Sequence, residues 1–272
     1  MNIKYNKAEE KYLNTQLTLR VICKEFKIDR NLFSKYLKSK SIDTSRKLKV
    51  DKNTFEIIDT EEKAYWLGFL YADGNVYYNK NNKQYVIELG LAIKDYNHLL
   101  KFKQFLRSDY KIEHRVKTNS CRIRIHSKKM CDDLINLGCI PNKSLILKFP
   151  EFLDTKLISP FIRGYFDGDG CISSYIKTTP DISLLGTKEF LLYINNIYQK
   201  EKSLFKDLRH KNNTFSIRFK INNGLTFLYD IYNNANIYLD RKYDIYNYLL
   251  NCRSRKKFFE LLESKYGEGC DS

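Results

Sequence analysis

Trp66-Leu67-Gly68-Phe69-Leu70-Tyr71-Ala72-Asp73-Gly74 and Ile162-Arg163-Gly164-Tyr165-Phe166-Asp167-Gly168-Asp169-Gly170 are two versions of one nine-residue phrase. Each is a largely apolar run with small residues four apart, Gly68 and Ala72 in the first and Gly164 and Gly168 in the second. Helical residues at i and i+4 share a face. A face of small residues lets two helix backbones approach closely. Both runs end in Asp-Gly, and glycine is the usual residue just past a helix C-terminus. Two helices packed along these faces bring Asp73 and Asp169 together. The carboxylates repel, and the helix C-termini add negative potential. A divalent cation relieves both, and Mg²⁺ prefers carboxylate and water oxygens beside phosphate. The pair is therefore a candidate metal site that a phosphate chain completes.

Outward from each phrase the same order of elements follows. The first helix, Glu61 to Asp73, leads into two strands, a helix near 96–106, strands near 110–118 and 120–126, and a helix over 128–137. Beyond Pro141 and Pro150, a helix from Pro160 to Asp169 leads into strands near 171–177 and 181–186. A helix over 188–198, strands near 205–210 and 214–221 and a helix over 223–232 complete the second set. Asp169 lies 96 positions after Asp73, too long a period for a solenoid. The expectation is an α+β protein made of two pseudo-symmetric αββαββα halves, 61–152 and 153–260, with a tail over 261–272.

Both phrases resemble the LAGLIDADG motif, and two copies in one chain resemble the single-chain members of that homing-endonuclease family. The resemblance covers about residues 61–258. It implies curved antiparallel sheets forming a DNA-binding saddle and a double-strand DNA endonuclease that acts as a monomer. It further implies that Asp73 and Asp169 bind the metal ions, Mg²⁺ with Mn²⁺ as substitute, helped by the carbonyls of Ala72 and Gly168. A basic residue near the end of each fourth strand would sit by the scissile phosphates, here His126 and Lys220, although a histidine departs from the usual lysine. The sixth motif position is often acidic; Asp167 fits and Tyr71 departs. Two rivals remain open: a binding-only regulator of the same fold, and a maturase acting on intron RNA.

Alternation in the strands supports a nucleic-acid partner. In 121–126, apolar residues alternate with Arg122, Arg124 and His126; in 215–221, with Ser216, Arg218 and Lys220; and Lys111, Glu113, Arg115 and Lys117 alternate similarly with Tyr110, Ile112, His114 and Val116. Period-two alternation places one face on a core and the other outward. A basic outward face fits the DNA major groove, where Arg and Lys read guanine. Near the C-terminus, Arg241 and Lys242 are further candidates for phosphate contact.

Residues 1–42 read as three short helices, near 7–14, 18–26 and 30–40, with Asp29 capping the third. Leu32, Phe33, Tyr36 and Leu37 mark its packed side, with Lys35 and Lys38 near the other. This is the layout of a helix-turn-helix DNA-binding module. Residues 43–60 read as a basic linker.

Charge agrees with this reading: 48 Lys and Arg stand against 32 Asp and Glu, a net +16 that favours a polyanionic partner. No run approaches the length of apolar residues that a membrane span needs. Seven scattered cysteines without a CxxC pair argue against a zinc site or a disulfide framework, and for reduced thiols in an intracellular protein.

Overall fold

The computed structural model describes residues 2–15, 19–42, 49–141, 143, 146–173, 180–198, 204–206, 214–219, 221–252 and 260, with backbone alone for 2, 204–206 and 221. The chain divides into two units, Met1–Lys49 and Val50–Ser272.

The smaller unit contains α1 (Asn2–Asn14), α2 (Leu19–Phe26) and α3 (Arg30–Ser39). Ala8, Tyr12, Ile22, Cys23, Phe33 and Leu37 form its core. The break between α2 and α3 has a physical cause. Lys27 adopts φ 49°, and the Ile28 amide reaches back to the Cys23 carbonyl at 3.0 Å, closing α2 as such caps do. Asp29 then starts α3, its carboxylate accepting from the amides of Asn31 and Leu32 at 2.8 and 2.9 Å. Leu32, expected on the packed side, is 57% exposed. Lys35 and Lys38 are exposed as expected.

In the larger unit the expected order appears twice. The first half runs α4 (Glu61–Asp73), β1 (Gly74–Asn79), β2 (Gln84–Ala92), α5 (Tyr96–Phe105), β3 (Ile112–Arg115), β4 (Ser120–His126) and α6 (Lys128–Asn136). The second runs α7 (Thr155–Asp169), β5 (Gly170–Ser173), β6 (Asp181–Gly186), α8 (Lys188–Tyr198), β7 (Leu204–Lys206), β8 (Phe215–Phe219) and α9 (Ile221–Tyr232), and α10 (Asp240–Asn251) follows. The sheets are antiparallel, in the orders β1-β2-β4-β3 and β5-β6-β8-β7.

Hydrophobic alternation sets the layers. Ile87, Leu89 and Leu91 on β2, and Cys121, Ile123 and Ile125 on β4, turn inward beneath Leu99 and Phe102 of α5 and Met130 and Leu134 of α6. Ser127 caps α6, accepting from the Met130 amide at 3.3 Å. Every residue of α4 from Ala64 to Tyr71 is buried, so this helix is the axis of the core and not a surface helix. Thr60 caps its start, and Glu61 and Glu62 complement the helix dipole in the first turn.

Three boundaries differ from the sequence reading. Residues 50–60 are no linker: Phe55 is fully buried with its ring 5.7 Å from Phe105, and the Asp51 amide bonds the Leu106 carbonyl. The helix expected to begin at Pro160 begins at Thr155, with Pro160 inside it. The third strand stops at Arg115, because Val116–Thr118 turn into a 3₁₀ segment that leads to Asn119 at φ 46°. Among the described residues no helix is long and apolar enough to cross a membrane. Cys23, Cys121, Cys131 and Cys139 are buried, and Cys171 is exposed.

Candidate metal and nucleic-acid site

The two phrases meet as their small residues require. A Cβ on Gly68 would lie 1.9 Å from the Phe161 carbonyl oxygen, and one on Gly164 would lie 1.9 Å from the Tyr65 carbonyl oxygen. Phe161 stands to Gly164 as Tyr65 stands to Gly68, so the contact is reciprocal, as an approximate two-fold axis demands. One turn further on, a Cβ on Gly168 would lie 2.3 Å from the Ala72 Cβ and 3.2 Å from Asp73 Oδ2. The glycines after each aspartate have another cause than the one expected. Gly74 and Gly170 are extended (φ −76° and −82°), and their bare Cα atoms make room for Leu70 and Phe166.

This crossing puts Asp73 and Asp169 side by side. Packed protein around Asp73, then the Asp169 charge, push its carboxyl up to about 6, although one side of it stays open to solvent. Asp169 has the Tyr165 hydroxyl as a hydrogen-bonding neighbour. At the equivalent position before Asp73 stands Phe69, which has no hydroxyl to offer. Burial, and then Asp169, keep Tyr165 protonated.

Two buried lysines, one per half, approach the same spot from behind. Lys143 donates to the Gly74 carbonyl. Lys242 donates to the carbonyls of Gly170 at 2.6 Å and Asp167 at 2.9 Å. Lys242 is 3% exposed, and burial lowers its ammonium to about 8 against the pull of Asp167. It is therefore not the surface phosphate contact expected of it. Nothing in the local sequence ties either lysine to the motif, since each lies about 70 positions after its aspartate.

The sixth motif position is structural in both halves. Asp167 is buried, accepting from the hydroxyls of Tyr65 at 2.7 Å and Tyr232 at 2.5 Å and from the Leu239 amide at 2.7 Å. Its counterpart Tyr71 donates to the Leu137 carbonyl and stands edge-on to Phe161, ring centres 5.0 Å apart. Leu137 leads into Gly138, whose φ of 93° suits glycine.

Asp73 opens into a cleft of about 500 Å³ that Lys94, Arg115, Arg122 and Arg241 also line. Arg241 is held there by Asp95 at 3.0 Å. The outer face of the first sheet continues the cationic surface with Arg124. Lys111 and Lys117 are exposed on either side of β3, and Arg218 is exposed on β8 opposite Ser183. His126 is on the same face but apart from the aspartates. Gly74 shares a row with Leu89 and Ile123, and His126 lies three residues beyond that row, about 10 Å along the strand. Lys220 lies outside the described residues.

Among the described residues no cluster of three or more His, Cys, Asp or Glu is placed to hold a metal ion. The donor set at Asp73 and Asp169 is two carboxylates at helix ends, whose last carbonyls lack intrahelical partners. Such hard oxygens fit Mg²⁺ or Mn²⁺ only if water and a phosphate supply the remaining positions.

No family model matches the chain. An uncharacterized protein of Methanocaldococcus jannaschii is 25% identical over 158 residues, 50% of this chain and 55% of that one; the chain thus spans about half the length of this relative. Among solved structures, the chain is similar to the LAGLIDADG meganuclease I-AabMI bound to uncleaved DNA (14% identity, TM-score 0.46, 74% of this chain and 91% of that one). It is similar also to the LAGLIDADG homing endonuclease I-LtrWI bound to target DNA (12%, 0.47, 76% and 92%). A third, I-DmoI with nicked target DNA and manganese, is 17% identical at a TM-score of 0.48 over 69% of this chain and 99% of that one.

Proposed function

We propose that the chain is a site-specific, metal-dependent DNA endonuclease of the LAGLIDADG type that hydrolyses one phosphodiester bond in each strand of a duplex. One observation carries the reading: a glycine-to-backbone crossing holds Asp73 beside Asp169 at the lip of a cleft lined by arginine and lysine. A binding surface alone has no use for two adjacent carboxylates, one of which raises the pKa of the other, where phosphate must approach.

Asp73, Asp169 and the carbonyls of Ala72 and Gly168 would hold Mg²⁺ or Mn²⁺. When bound, the ion neutralises phosphate charge and makes water nucleophilic near neutral pH. The remaining chemistry belongs to the chain. Lys143 and Lys242 hold the carbonyl of the residue after each aspartate, and both offset part of the Asp73 charge. Arg241, braced by Asp95, and Arg115 supply donors to the phosphate beside Asp73. Arg122, Arg124 and Arg218 face the bases, with Lys111 and Lys117 along the backbone. Lys35 and Lys38 on α3 would extend the contact beyond the central site. No role next to the reacting phosphate is retained for His126.

The test is cleavage of duplex sites selected from a random library in Mg²⁺. Wild-type protein should cut both strands, chelation should stop it, and Asp73→Ala and Asp169→Ala should each lower cutting by at least about a hundredfold while leaving binding in place. Wild-type binding without cutting in Mg²⁺ would convert the reading to the binding-only protein. A preference for folded RNA over duplex would convert it to the maturase.

A further inference from the structure

On the outer face of the first sheet, two arginines are held by two glutamates. Glu113 bridges them: Oε2 accepts from Arg122 Nε at 2.9 Å and Oε1 from an Arg124 terminal nitrogen at 2.6 Å. Glu88 accepts from Arg122 at 3.3 Å. The register permits this: Glu113 stands opposite Arg122 and Glu88 opposite Arg124, and each acid also reaches the other arginine's row on the diagonal, Glu113 to Arg124 and Glu88 to Arg122. These side chains are only 21–42% exposed. Arg124 Nε is buried without an acceptor among the described residues, so the Glu113 carboxylate is the hydrogen-bond acceptor that orients that guanidinium, with the Glu88 charge nearby. Among the described residues the second sheet shows no such arrangement: Ser183 stands opposite Arg218, and Phe205 opposite Ser216.

Surface ion pairs contribute little to stability, which makes a purely stabilising role a weak explanation. Their effect on recognition is larger, because two kinds of DNA attraction respond oppositely to a carboxylate. Pull toward phosphate grows with net positive charge and carries no sequence information. Guanine reading depends on where a guanidinium fork points. On this face Arg115, Arg122 and Arg124 are set against Glu88 and Glu113. The acids lower the first attraction and fix the direction needed for the second.

We propose, resting on the DNA-binding reading above, that Glu113, assisted by Glu88, is a specificity-determining positioning residue: it aims Arg122 and Arg124 at guanine edges in one half-site and offsets their attraction to phosphate. The experiment compares full-length wild type with Glu113→Gln and Glu88→Gln. Affinity is measured across a salt series for the duplex that the wild type selects from a random library and for an unrelated duplex. In Glu113→Gln the unrelated duplex should bind more tightly, with a log–log salt slope steeper by about one. The ratio of target to unrelated affinity should fall by about tenfold, with lost preference confined to positions in one half-site. Glu88→Gln should shift both readouts in the same direction by less. An unchanged ratio and slope in a Glu113→Gln protein that melts as the wild type does would overturn the role of Glu113 and leave the DNA reading intact. A wild type that binds no duplex would overturn both.

Discussion

At the residue scale, the two motif aspartates are not equivalent, although their positions in the repeat are. Asp169 has a tyrosine hydroxyl for a neighbour, whereas Asp73 has Phe69 at the same place in its helix, and burial followed by the Asp169 charge raises its carboxyl. The consequence for stability has a definite sign. Between its ordinary 3.8 and about 6, Asp73 holds a proton in the folded protein that the unfolded chain has lost, so folding is weakened as pH rises through that interval. Asp73→Asn removes the cost. In chelator at pH 7.5 the variant should exceed wild type in unfolding free energy by about 1 kcal/mol, a figure reduced for the open side of the carboxylate. That gain should fade as pH drops toward about 4. Chemical denaturation at both pH values checks this, and an equal gain at each would show that the carboxylate charge is not responsible.

At the element scale, the crossing of α4 and α7 is the most demanding contact in the molecule. Gly68→Ala or Gly164→Ala drives a methyl into a backbone carbonyl of the facing helix, which cannot move without separating the halves. Each should cost at least about 3 kcal/mol by thermal or urea unfolding. Gly90→Ala is the control: its methyl would meet nothing nearer than 3.8 Å, on the outer sheet face, and should be tolerated.

This crossing was legible in the sequence, because small residues four apart on an apolar run have few other uses. So were the αββαββα order, which follows from periodicity, and the adjacency of Asp73 and Asp169. Lys143 and Lys242 were not legible, because they reach the motif through tertiary packing across about 70 positions. The separation of His126 from Asp73 depends on which row of the sheet each strand residue joins, and the alternation of Arg122, Arg124 and His126 gives their face but not their row. Alternation likewise puts Glu113 on the outward face, but not opposite Arg122, and it does not show that Glu88 stands opposite Arg124. Residues 50–60 pass for a linker because Phe55 is a lone anchor in a polar stretch, with no period to show that it packs.

At the scale of the whole molecule, two hydrophobic cores divide the chain, one within 1–49 and one running through both motif-bearing halves. Each buries its own aromatic residues, so a chain shortened to residues 50–272 should keep the melting transition of the larger unit. If α3 touches DNA, the shortened chain should also bind its duplex more weakly and with a shallower salt slope, by about one for each phosphate that α3 neutralises in the full chain. Calorimetry and binding across a salt series measure the two effects. A shortened chain that fails to fold would show that the larger unit depends on the smaller.

The repeat also invites the question of why each half chooses the other and not a second copy of itself. Tyr65 of the first helix satisfies Asp167 of the second, and the mirror position joins Phe161 to Tyr71 without any acid. A pair of second halves would set a phenylalanine against each buried acid and take away a hydroxyl it relies on. A pair of first halves would crowd tyrosine against tyrosine. The mismatch between two related surfaces thus acts as a mating code, making the two halves of this chain a heterodimer that happens to share one backbone.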